Sequence, residues 1–113
     1  MVQPGPSITS VAGDSAILLH GSERAWLAQR LPLLTDRELE VLLSVCEGGA
    51  NEEIASRLCV SVATVRTHLT RIHSKLGTGR KSDLIRVVFG ALIDAYRTPN
   101  ALEAARSRTR ASA

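Results

Sequence analysis

Aromatic residues are almost missing from this sequence: Trp26, Phe89 and Tyr96 are its one tryptophan, one phenylalanine and one tyrosine in 113 residues. So sparse a set excludes the interleaved platform on which single-stranded bases stack. Cysteine is nearly as scarce. Cys46 and Cys59 stand apart, with no CxxC and no Cys/His cluster beside them, so neither a disulfide framework nor a zinc site follows, and both thiols are expected in or near a core in a reducing compartment. No stretch approaches the ~18 apolar residues a membrane span needs, and the opening MVQPGPSITS has no basic start or long apolar run. The expectation is a cytoplasmic protein with no membrane partner. One further absence is local. Segment 61–81, SVATVRTHLTRIHSKLGTGRK, holds Arg66, Arg71, Lys75, Arg80 and Lys81 but no Asp or Glu.

What is present is an ordinary globular composition, 44% apolar, with a net charge of +3 and a pI near 9.4. That excess is too small to argue for nucleic acid, but its distribution is telling. Residues 35–58 carry Asp36, Glu38, Glu40, Glu47, Glu52 and Glu53 against Arg37 and Arg57, so one face of the folded chain should be electropositive. Periodic apolar patterning runs from Leu33 to Arg97, a length at which a single core is only marginally stable.

Within that region the helix signals are specific. In LTDRELEVLLSVCEGG, Thr35 and Glu38 have capping-box spacing. Leu39, Leu42, Leu43 and Cys46 follow at i, i+3, i+4 and i+7, and Gly48 or Gly49 can end the helix. ANEEIASRL starts a short second helix, with Asn51 as the expected cap, Glu52 and Glu53 in its first turn, and Ile54 and Leu58 facing inward. CVS leaves room for a tight turn only, and Ser61 is placed to cap a third helix. A fourth, SDLIRVVFGALIDAYR, is expected to be capped by Ser82. Upstream, residues 8–20 suggest a hairpin turning at Gly13 and Asp14, and SERAWLAQRL a helical turn or two from Ser22 to Pro32.

On the third helix Val65, Leu69, Ile72 and Leu76 fall within an arc of about 60° and face the core. Ala63, Thr67, Thr70 and Ser74 lie opposite, with Arg66 on one flank and Arg71 and Lys75 on the other. A helix entering the major groove needs this arrangement: short side chains where bases come close, cations where the phosphate walls rise. A merely solvated face would mix both charge signs.

Taken together, LTDRE, GGANEEIASRLCVS and TVRTHLTRIHSKLG, in that order, resemble the LuxR/FixJ (NarL-type) helix-turn-helix family over residues 34–94. The resemblance implies an all-α fold, a four-helix helix-turn-helix bundle over residues 33–97. A short irregular extension, 1–32, precedes it and a flexible Ala/Arg-rich tail, 98–113, follows. It also implies a sequence-specific regulator of transcription that binds double-stranded DNA, with residues 61–76 in the major groove. Arg66 matches the position after TV that contacts DNA, Thr67 and Thr70 match groove-facing neighbours, and Lys75 matches a backbone contact; Thr64, His68, Arg71, Arg80 and Lys81 complete the expected interface. Departures are Ala50 for a common serine, Thr78 for an aliphatic residue and Lys81 for arginine. The input domain usual upstream exceeds 32 residues, so the signal input is expected to be missing or to reside elsewhere, a separate signalling protein being one option.

Two other classes compete: a sigma-factor-like promoter-binding fragment, which would need a further helical domain, and a helical protein-interaction module, whose binding would not be phosphate-driven. No nucleophile, base and orienter set is visible, so an enzyme is not expected. His68 and His73 point about 140° apart, too far to share a metal ion, and no cofactor is expected. The last helix carries two apolar stripes. Leu84, Val88, Ala91 and Ala95 serve the core; Ile85, Phe89, Leu92, Ile93 and Tyr96 form a second face, to be covered either by the first 32 residues through Trp26 or by a second copy of the chain. A homodimer is the favoured expectation and accords with the resemblance.

Overall fold

The computed structural model describes residues 21–112 and, in its last helix, side chains as far as residue 107. The hairpin expected over residues 8–20 lies outside the described residues. Those described form six helices and no strand: α1 (Gly21–Arg30), α2 (Asp36–Glu47), α3 (Asn51–Leu58), α4 (Val62–Leu76), α5 (Lys81–Arg97) and α6 (Ala101–Ser112). The described residues are all-α; α2 to α5 are the four bundle helices expected from the sequence, and α1 is the helical turn or two expected from Ser22 to Pro32.

The central helix is α2, because it is apolar on more than one side. Leu39, Leu42 and Leu43 are buried as their spacing requires, but so are Val41 and Val45 on the opposite flank. A helix buried nearly all round sits between neighbours, and α4 and α5 both pack on this one. Its start is the expected capping box: the Thr35 hydroxyl accepts the Glu38 amide at 3.1 Å, and Glu38 Oε1 accepts the Thr35 amide at 2.9 Å.

Two helix starts differ from expectation for one reason. The cap position of α3 is Ala50, not Asn51, and that of α5 is Arg80, not Ser82. In each case a carboxylate three residues on reaches back to the chain that enters the helix. Glu53 Oε1 accepts the Ala50 amide at 2.8 Å, and Asp83 Oδ2 accepts the amides of Arg80 at 3.1 Å and Gly79 at 3.2 Å. An acid at this position satisfies the exposed amide whatever side chain the cap residue carries. Gly49 makes room for the arrangement: its φ is +97°, and a Cβ there would meet Glu53 Oε1 at 2.6 Å.

Residues outside the four-helix unit join its core. Leu27 of α1 is fully buried and belongs to the same core cluster as the buried residues of α2 to α5. Trp26 Nε1 donates to the Ala91 carbonyl at 2.7 Å, and the Arg30 guanidinium lies 5.1 Å from the Trp26 ring while pairing with Asp94 at 3.0 Å. The segment expected as a solvated tail is the helix α6, which packs along α1. Ala101 and Ala105, four residues apart on one face, are buried, and Gln29 Nε2 donates to the Ala105 carbonyl at 2.9 Å. Small residues on that face let the two helices lie close together.

If α1 is an integral layer, Leu27→Ala will lower unfolding free energy in a urea titration by roughly 2–5 kcal/mol, the cost of a core truncation. A loss below about 0.5 kcal/mol, typical of a surface change, would mean that α1 is dispensable.

Candidate nucleic-acid interface

Helices α3 and α4 are joined by Cys59, Val60 and Ser61. Cys59 takes the left-handed conformation (φ 58°, ψ 44°) that ends α3, and the Val60 amide donates to the Ala55 carbonyl at 3.0 Å. That geometry turns the Cys59 side chain outward, so this thiol is exposed and not in the core as expected. Cys46 is partly covered, and burial pushes its thiol up to about 11. Ser61 then caps α4, its hydroxyl accepting the Thr64 amide at 3.1 Å and lying 2.9 Å from Thr64 Oγ1. At the other end Gly77 adopts φ +68°, and the Thr78 hydroxyl lies 2.7 Å from His73 Nδ1. Thr78, which departs from the family pattern, thus partners a histidine of the same helix.

The rotation of α4 matches the wheel. Val65, Leu69 and Ile72 are buried and Leu76 packs partly against the core, while Ala63, Arg66, Thr67, Thr70, Arg71 and Ser74 are exposed. His68 and Thr64 lie half-buried at the edge, and His68 Nδ1 is buried without a hydrogen-bond partner. Arg80 is exposed and Lys81 half-buried at the α4–α5 junction.

The cations divide into two sets. Arg37 donates to Glu40 at 2.6 Å and to the Leu58 carbonyl at 3.1 Å. Arg57 donates to the hydroxyl and carbonyl of Ser44 at 3.0 and 2.8 Å and to the Gly48 carbonyl at 2.7 Å, and pairs with Glu47 at 3.1 Å. Both are committed to holding α3 against α2. Arg66, Arg71, Arg80 and Lys81, by contrast, have no ion-pair partner among the described residues.

Lys75, expected at the DNA backbone, also has a partner within the protein. Its ammonium donates to Glu38 Oε1 at 2.6 Å, and the Glu38 side chain is only 4% exposed. The Lys75 hydrogen bond, helped by the Thr35 amide, holds the Glu38 carboxyl below its usual range. Nothing in the sequence marked this pair, because its members are far apart along the chain and the capping box explained Glu38 alone.

The expected dimer face is partly closed. Leu92 is buried within the chain, 8% exposed, and Ile85 is half-buried. Phe89, Ile93 and Tyr96 remain 41%, 49% and 66% exposed, with the Tyr96 hydroxyl donating to Glu23 of α1. A cavity of about 30 Å³ lies beneath Phe89, lined by Arg24, Leu43, Cys46, Glu47, Val88 and Leu92. Among the described residues no cluster of His, Cys, Asp or Glu could hold a metal ion, and no helix is long and apolar enough to cross a membrane.

This helix-turn-helix with an open, cationic second helix has counterparts among known proteins. Residues 32–88, half of the chain, match GerE, the luxR family of bacterial regulatory proteins. The chain belongs to the LuxR family. It is similar to the oxygen regulatory protein NreC of Staphylococcus aureus, sharing 47% identity over 53 residues with the proteins of strains JH9 and USA300. That match covers 47% of this chain and 24% of each relative. No solved structure matches it significantly. As a LuxR-family member the domain is the DNA-binding part of a transcriptional regulator.

Because Glu38 titrates lower folded than unfolded, its contribution to stability is complete above the unfolded value, about 4.3, and is lost as pH falls through the folded one. Glu38→Gln should therefore flatten the acid limb of the stability–pH curve measured by urea unfolding. Lys75→Met leaves the carboxylate buried and unpaired, and should cost about 1–3 kcal/mol at neutral pH. A wild-type limb unchanged by either substitution would deny the pair its role.

Proposed function

We propose that this domain binds double-stranded DNA sequence-specifically in the cytoplasm as a homodimer, each protomer laying the exposed face of α4 into a major groove. The observation that carries the reading is the division of cations. Every basic side chain of α2 and α3 is spent inside the protein, while Arg66, Arg71, Arg80 and Lys81 have no ion-pair partner among the described residues and surround a strip of small polar residues. Arg66, near the start of α4, is assigned to a base edge, since recognition helices approach the groove most closely at their N-terminal end. Arg71, Arg80 and Lys81 are assigned to phosphates, with Thr64 and His68 at the margin and Thr67 and Thr70 between.

The dimer reading rests on Phe89, Ile93 and Tyr96, three of the four exposed large apolar side chains among the described residues, gathered on one face of α5. Contiguous apolar surface of this kind marks interfaces, and a two-fold pair would set two α4 helices on half-sites about 10 bp apart.

Arg66→Ala should weaken binding to a sequence drawn from a random duplex pool by roughly 1–3 kcal/mol and relax preference at one base pair. Arg71→Ala should weaken binding to all sequences and reduce the salt slope by about 1. An unchanged motif and affinity for the first variant, or an unchanged slope for the second, would contradict these assignments. Ile93→Asp should remain helical by circular dichroism, sediment as a monomer and lose affinity mainly for paired half-sites. Wild-type protein that sediments as a monomer at high concentration and binds single and paired half-sites alike would remove the dimer.

A further inference from the structure

The three threonines on the outer side of α4 are not equivalent. Thr64 Oγ1 is engaged with Ser61 in the helix cap. Thr70 Oγ1 donates to the Arg66 carbonyl at 3.0 Å, one turn back along its own helix. Thr67, between them, makes no hydrogen bond among the described residues. A threonine whose hydroxyl turns back onto the preceding turn holds a fixed rotamer and presents its γ-methyl outward. Thr70 is exposed at the middle of the face, so its outermost group is apolar although the residue counts as polar. Arg66 and Arg71, on either flank, supply charge but no apolar surface.

On the major-groove edge of DNA the apolar feature is the C5 methyl of thymine. We propose that Thr70 is a specificity-determining residue that reads a thymine by methyl contact. The inference rests on the assignment of α4 as the recognition helix and names what its centre selects. Arg66 and Thr70 are four residues, about 6 Å along the helix axis, apart, against a base-pair rise of about 3.4 Å, so the thymine lies within a step or two of the base pair that Arg66 contacts. Donation from the hydroxyl to a base acceptor instead would require breaking its bond to the Arg66 carbonyl, since a hydroxyl has one proton to give.

The test uses duplexes recovered from a random pool by the full chain and resynthesised with deoxyuridine at each thymine in turn, which deletes only the methyl group. Wild-type protein should lose about fourfold in affinity at one position, the factor that corresponds to roughly 0.8 kcal/mol for one buried methyl group. Thr70→Val keeps the methyl and should keep that loss. Thr70→Ser keeps the hydroxyl and should bind thymine and uracil duplexes equally. Circular dichroism and salt-sensitive binding to random duplex confirm that each variant is folded and competent. Indifference of the wild type to uracil at every position overturns the proposal, as does a Ser variant that still discriminates or a Val variant that does not. Failure to recover any motif, with no binding to duplex at low salt, overturns the recognition-helix assignment beneath it.

Discussion

A single buried carboxylate, that of Glu38, joins the start of α2 to the end of α4. One of its oxygens accepts both the Thr35 amide and the Lys75 ammonium. An anion at a helix N-terminus is favoured by the helix dipole, but a carboxylate so nearly closed off from water costs free energy unless it is paired. Lys75 meets that need. With Val65, Leu69 and Ile72 already locked into the core, the pair leaves α4 no freedom to roll, and the opposite face must point outward. The exposed strip of small side chains and cations is thus a consequence of what the other side of the helix is bound to.

The same logic governs the remaining charges. Arg37 and Arg57 draw α3 onto α2 by binding backbone carbonyls at helix ends, where cations complement the dipole. These internal roles exhaust the cations of the first two bundle helices, whereas Arg66, Arg71, Arg80 and Lys81 have no ion-pair partner among the described residues. The outer layer of α1 and α6 lies on α5, away from α4, and adds Leu27, Ala101 and Ala105 to the buried set. A bundle of some 65 residues is marginal alone, and this layer supplies part of the burial a partner subunit would otherwise provide. It also narrows the open face of α5 to Phe89, Ile93 and Tyr96.

Legibility in the sequence followed the range of the interaction. Thr35 with Glu38, Ser61 with Thr64, and the Val65, Leu69, Ile72 stripe are local, and each formed as its spacing required. Asn51 and Ser82 misled because a carboxylate at the third helical position can satisfy the entering amides by itself, as Glu53 and Asp83 do. The Glu38–Lys75 pair could not be read, since no period links residues so far apart. Burial of α1 was legible only as the less favoured option, with Trp26 as cover for the second face of α5, and nothing in its sequence marked Leu27 as a core residue. The tail misled through composition. Its alanines, suited to a solvated helix, are also small enough to pack closely on α1. The exposure of Arg66, Thr67, Thr70 and Arg71 on α4 followed directly from the wheel, whereas the pairing of Lys75 with Glu38 and the burial of Leu92 required the fold.

The measurement that bears most directly on the central claim, that α4 presents its outer face to DNA because its inner face and Lys75 are fixed to the bundle, is amide chemical-shift mapping during titration with duplex DNA. The account predicts perturbations along Ser61–Ser74 and at Gly79–Lys81, with α1 and α6 little changed. Perturbations concentrated on α1 and α6 while the α4 amides stay silent would contradict it.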